Sequence, residues 1–153
     1  MGHSTFMQKV TFHEALAQIL VEDPRFTIEA YGFIRESLDF TIKHFEKPVD
    51  GPGRHVSGAE LLEGIRKFAL KEYGPLAKTV FERWGVSQTK DFGHLVFNLV
   101  GKGVLGKTEE DNLEDFSNGY DFEKAFRDPF RPRNREKTSA QPAQDQPAEP
   151  AVE

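Results

Sequence analysis

Residues 57–102 read SGAELLEGIRKFALKEYGPLAKTVFERWGVSQTKDFGHLVFNLVGK, and the spacing of their apolar residues decides the fold class. Ser57-Gly58-Ala59-Glu60 is a capping box. The serine hydroxyl accepts from a backbone N–H three residues on, and the glutamate reaches back. Leu61, Leu62, Ile65, Phe68 and Ala69 then recur at helical spacing. Gly74-Pro75 closes this helix and opens the next, whose stripe is Leu76, Ala77, Val80, Phe81 and Trp84. Gly85 stands where a left-handed C-cap belongs. Phe92, Leu95, Val96, Leu99 and Val100 give a third helical face. The spacing therefore predicts helices over 57–73, 75–84 and 90–102.

Upstream, Phe12, Ala15, Leu16, Ile19 and Leu20 predict a helix over 11–21 that Asp23-Pro24 ends, since proline disfavours helical geometry in the residue before it. Tyr31, Ile34, Leu38, Ile42 and Phe45, widened by Phe33 and Phe40, predict a longer helix over 27–46. KPVDGPGRH at 47–55 then forms a loop between two helical blocks. Downstream of Gly103, VLGKT reads as a short strand. EEDNLEDF at 109–116 is a turn or a short helix capped by Thr108, and YDFEKAF at 120–126 is a last short helix. From Asp128 onward apolar residues give way to Pro, Gln, Ala and charge, the composition of a chain that cannot build a core.

The expected fold class is mainly α: a compact helical domain, with a disordered C-terminal tail. A single domain is expected over 8–128, made of an N-terminal helical pair at 8–47 and a block at 54–128, with the tail at 129–153. The order of helix, helix, turn (GVSQT), helix, strand and return in the second block is that of a winged helix with a small β-hairpin wing. In that order 90–102 is the reading helix. Residues 104–120 are then either the wing or a turn with a short helix.

Composition narrows the function classes. The 153 residues suit one domain, and 14 phenylalanines allow a modest chain to bury a large apolar area. The absence of cysteine excludes disulfides, thiolate nucleophiles and cysteine-ligated zinc. No apolar run approaches the ~20 residues of a membrane helix. The N-terminus MGHSTFMQKV has no apolar stretch of a signal peptide, and Phe6 stands where a myristoylation signal needs Ser or Thr. A cytoplasmic protein with no membrane association is expected. The net charge of −5 tilts away from nucleic acid.

Four patterns carry chemistry. GKGVLGKT at 101–108 satisfies G-x-x-x-x-G-K-[ST], in which backbone amides, Lys107 and Thr108 would cradle phosphates and magnesium. That motif needs a buried strand before it and a parallel sheet around it, and only about 20 core-forming residues follow. Glu109, Glu110 and Asp111 also stand where phosphates would meet the helix. A glycine-rich helix end is the expected reading. Lys90, His94, Asn98 and Lys102, at steps of four on the third helix, are residue types that meet phosphates and base edges. With Arg131, Arg133 and Arg135 they form the candidate nucleic-acid surface, and a solvated helix face is the alternative. The carboxylates Glu109, Glu110, Asp111, Glu114 and Asp115 read as a solvated acidic surface or a protein-contact surface. The spacing of an EF-hand is absent. His3, His13, His44, His55 and His94 make no ligand pair at i, i+4. No cofactor, metal ligand or catalytic residue is expected.

At RHVSGAELLEGIRKFAL, WGVSQTKDFGHLVFNLV and GKTEEDNLEDFSNGYDFEKAF the chain resembles a family of small uncharacterised bacterial proteins restricted to Planctomycetes and Verrucomicrobia. The resemblance spans about 12–128. It implies one compact domain and brings no activity, cofactor or catalytic residue. The expected function is a non-enzymatic protein-interaction domain with an unidentified protein partner. The alternative is a nucleic-acid-associated winged-helix factor. A nucleotide- or metal-dependent enzyme comes third.

Overall fold

Local sequence signals place the helix ends, and the apolar stripes then decide how the helices meet. The structure, a computed structural model, describes residues 11–48, 53, 55–106 and 112–132. It is mainly helical. Helix α1 spans Phe12–Glu22, α2 Ile28–His44, α3 Gly58–Tyr73, α4 Ala77–Trp84 and α5 Thr89–Gly101. The Ser57–Glu60 capping box is formed, with Glu60 N donating to Ser57 Oγ at 3.1 Å and Ser57 N to Glu60 Oε1 at 3.0 Å. Thr11 and Glu14 make the same box at α1. Each satisfies two amides that the first turn of a helix leaves without partners.

Gly85 ends α4 in the left-handed region at φ +89°. A side chain there would be strained, and its Cβ would also strike the Arg25 carbonyl oxygen. This close approach seats the 23–27 turn on the end of α4, where Thr27 N donates to Trp84 O at 3.2 Å.

The two helical blocks share one core. Its largest helix–helix contact is α2 on α3. Gly64 makes that approach possible, because a Cβ on it would fall on Thr41 Oγ1. Thr41 Oγ1 turns back to donate to Ser37 O at 2.7 Å, so its hydroxyl is satisfied inside the seam. Phe81, fully buried, is the hub of an aromatic cluster. Its ring lies 5.2–5.7 Å from those of Phe33, Trp84, Phe92, Phe122 and Phe126. This explains the phenylalanine load: aromatic edges and faces fill a junction where α2, α4, α5 and the C-terminal turn meet.

The structure corrects three expectations. No strand or β-hairpin wing occurs among the described residues. Residues 103–105 turn, and Leu113–Phe116 is a single 3-10 turn. Its polar backbone is satisfied locally and by α5: Thr89 Oγ1 donates to Phe116 O at 2.6 Å and accepts from Gly119 N at 3.0 Å. Gly93 leaves room for Leu113 and Phe116 against α5, so these side chains pack down where a wing would project. Second, the helix expected from 75 begins at Ala77. Gly74, at φ +52°, and Pro75 form a separate 3-10 turn, Gly74–Leu76, which turns Leu76 outward to 63 % exposure. Third, the expected last helix is a five-residue π-helical turn, Glu123–Arg127. Phe122, Ala125 and Phe126 nonetheless enter the core as their spacing requires. A further 3-10 turn, Asp128–Phe130, straddles the expected start of the tail; residues beyond 132 lie outside the described residues.

Candidate partner-binding surface

Helix α5 presents Lys90, His94, Asn98 and Lys102 in a row, but the structure gives them different work. Asn98 Nδ2 donates to Asp23 Oδ2 at 2.9 Å and to the Tyr31 hydroxyl at 3.0 Å. Lys102 Nζ pairs with Glu22 Oε2 at 2.8 Å. The C-terminal half of the row thus fastens α5 to the end of α1, beside a groove of about 170 Å³ between Ile19 and Phe97. Lys90 and His94 remain half-buried on the N-terminal half, with Arg25 close enough to His94 to act on it electrostatically. Burial first, and then the Arg25 charge, pushes the His94 imidazole below its ordinary pKa, so it is neutral at pH 7.

Asp23 caps α1 and receives Arg25 in a fork, Nε at 2.8 Å and Nη2 at 2.7 Å. The Arg25 hydrogen bonds hold its carboxyl well below the usual carboxylate range, with Asn98 assisting and burial opposing. The sign follows from linkage. Folding favours ionised Asp23, so the unfolded chain takes up more protons as pH falls through the ordinary value of 3.8. Asp23 therefore contributes stability above that pH and loses it progressively below. Asp23→Asn is expected to lower stability at pH 7 by about 1 kcal/mol, a modest figure because Arg25 is largely solvated. The deficit should shrink at pH 3. Urea unfolding at both pH values checks this, and an equal deficit at both would contradict it.

Other expected site residues fall in different places. Glu114 and Asp115 are exposed, and both are drawn into their own turn: Asn112 N donates to Asp115 Oδ2 at 3.2 Å and Ser117 Oγ to Glu114 Oε1 at 3.3 Å. Glu109, Glu110, Asp111, Arg133 and Arg135 lie outside the described residues, as do Lys107 and Thr108 of the phosphate-loop pattern. The segment before that pattern is helix α5, not the strand the pattern requires. Among the described residues no group of three His, Asp or Glu side chains could hold a metal ion. A polar hollow of about 330 Å³ beside Thr89 and Tyr120 uses its main polar groups for the fold, with Tyr120 Oη donating to Leu62 O at 2.8 Å.

A different edge of the molecule joins exposed apolar and charged groups. Leu76 is 63 % and Phe130 44 % exposed, each beside an exposed proline, Pro75 and Pro129. The two 3-10 turns that carry them flank the Glu123–Arg127 turn, which packs on both Gly74–Leu76 and Asp128–Phe130. Glu123 ties the edge together. Lys78 Nζ approaches it at 3.9 Å while also holding Glu82 at 2.6 Å, and Arg131 pairs with it from the other side. Arg131 Nε also reaches Asp128 at 3.0 Å. Beneath lie Phe122 and Phe126, packed on Phe81. The spacing of 76–84 places Leu76 in the core stripe, and the composition after 128 hides Phe130. The one local signal for both is the proline immediately before each.

No family model, no curated protein and no solved structure matches the chain.

Proposed function

We propose that the protein is a non-enzymatic protein-interaction domain whose contact surface is the Leu76–Phe130 edge. The observation that supports it is the placing of two large apolar side chains, exposed by 63 % and 44 %, on short turns that both contact the Glu123–Arg127 segment. Single exposed apolar residues are ordinary on protein surfaces, whereas grouped ones rimmed by charge mark contact sites. Capture from native cell extract on the immobilised, folded chain tests the reading. Retention of protein that survives nuclease treatment is expected. Recovery of nucleic acid alone, or of nothing, would overturn it.

A second reading is favoured by Lys90, His94 and Arg25 lying together at the start of α5, where phosphates would meet them. Asp23 and Asp91 act on His94 with opposite sign and weaken that field. Binding to DNA or RNA that falls steeply with salt and is lost on Lys90→Glu would support this reading over the first.

A further inference from the structure

The segment that packs down in place of the expected wing contains a chemically labile pair. Of Asn98, Asn112, Asn118 and Asn134, only Asn118 precedes a glycine. Asn118 lies at φ +56°, a left-handed conformation that asparagine tolerates better than most residues. It is exposed, and its side chain makes no hydrogen bond among the described residues. It lines the hollow beside Thr89 and Tyr120, so water reaches it.

An Asn-Gly pair with a free side-chain amide can close a succinimide ring. The Gly119 nitrogen loses its proton to hydroxide and attacks Asn118 Cγ. The N–Cγ bond forms, the Cγ–Nδ2 bond breaks, and Nδ2 takes a proton from water and leaves as ammonia. Water then opens the ring at either carbonyl. One opening gives aspartate, and the other gives isoaspartate, with the backbone rerouted through Cβ and Cγ. No oxidant, reductant or cofactor is required, and glycine puts no side chain in the way of ring closure.

The fold withholds the attacking nitrogen. Gly119 N donates to Thr89 Oγ1 at 3.0 Å, and Thr89 is buried. The same hydroxyl gives its own proton to Phe116 O at 2.6 Å, which fixes its lone pairs in direction. Tyr120 Oη, donating to Leu62 O at 2.8 Å, pins the next residue. While the Gly119–Thr89 bond stands, the Gly119 proton is shielded from hydroxide, and reaction waits for local opening of the turn. We propose that Asn118 is a site of spontaneous deamidation, governed by the hydrogen bond from Gly119 to the Thr89 hydroxyl. Isoaspartate adds a methylene to the backbone between the anchors at Phe116 and Tyr120. It also adds a carboxylate to the hollow that Asp121 lines. The product therefore loosens the packing of Phe116 against Gly93 of α5, whatever the Leu76–Phe130 edge binds.

Ageing the folded full chain in mildly alkaline buffer, followed by peptide mapping with mass spectrometry, tests this. Amide-to-acid conversion should concentrate at Asn118, with Asn98 and Asn112 as internal references. Enzymatic methylation of the isoaspartate carboxylate identifies the rerouted product. Thr89→Val keeps the side-chain shape and removes the hydroxyl, and should speed conversion about tenfold. Thr89→Ser, which restores the acceptor, should stay close to wild type. So should Ile34→Val, which weakens the core from α2 without touching this bond. A synthetic peptide of residues 115–123, which lacks Thr89, sets the unprotected rate. If Thr89→Val does not fold, amide hydrogen exchange at Gly119 in the wild type replaces it. Slow exchange is then expected, and exchange as fast as in the peptide would overturn the proposal. Conversion at Asn118 no faster than at Asn98 and Asn112 in every form of the chain would do the same. So would equal rates in the folded chain and the peptide, or a rise in Ile34→Val that matches that in Thr89→Val.

Discussion

Phe81→Ala is expected to lower the unfolding free energy by about 3–5 kcal/mol, the range for removing a large buried aromatic ring. Phe81 has no exposed surface, and five aromatic neighbours from four parts of the chain close around it. Its loss opens a cavity that none of those rings can fill without giving up contacts elsewhere. Because a domain of this kind has about 5–15 kcal/mol of stability in all, the variant should sit near its threshold of folding. The single tryptophan, Trp84, lies 5.7 Å from Phe81 ring to ring and reports the change by fluorescence. Urea unfolding followed at Trp84 gives the figure. A loss under about 1.5 kcal/mol would show that the cluster repacks and is not a rigid support for the edge above it.

Gly64→Val should destabilise the chain by about 3 kcal/mol, the upper part of the usual range for overpacking. The added Cβ would land on Thr41 Oγ1, with Thr41 Cβ only 2.8 Å away, in the tightest of the helix contacts. Helix propensity alone predicts the opposite sign for Gly64→Ala, since glycine inside a helix costs about 0.5–1 kcal/mol relative to alanine. The two effects separate in a cycle. Gly64→Ala should destabilise the wild type, and Thr41→Ala should recover much of that loss, because it removes the hydroxyl and the methyl that the new Cβ meets. Equal effects of Gly64→Ala with and without Thr41 would show that the seam does not depend on this approach.

How far the sequence reveals this fold varies with the range of the forces involved. The Ser57–Glu60 box, the left-handed cap at Gly85 and most of the stripes of α1, α2, α3 and α5 depend on residues within two turns of each other, and they stand where the spacing places them; Phe45, expected in the α2 stripe, instead lies exposed at the C-cap of α2. The wing is not legible because its fate rests on Thr89 and Gly93, 20 or more residues before the 3-10 turn they hold. Leu76 escapes the pattern because apolar periodicity runs on across Gly74-Pro75, while the backbone there forms a turn of its own. Of the candidate row on α5, Asn98 and Lys102 have their partners 75 and 80 residues away in sequence, at Asp23 and Glu22. No local pattern announces such a pairing. The exposed edge is hidden for the same reason: the turns that carry Leu76 and Phe130 are linked only through the 123–127 segment that both contact.

The functional proposal thus has a definite location on the molecule, and comparing two captures tests it most directly. Wild-type chain and the Leu76→Ser/Phe130→Ser variant, shown to unfold at similar urea concentrations, are exposed to the same nuclease-treated extract. The account predicts protein retained by the wild type and lost from the variant. The same proteins retained equally by both, or only nucleic acid recovered when nuclease is omitted, would contradict it.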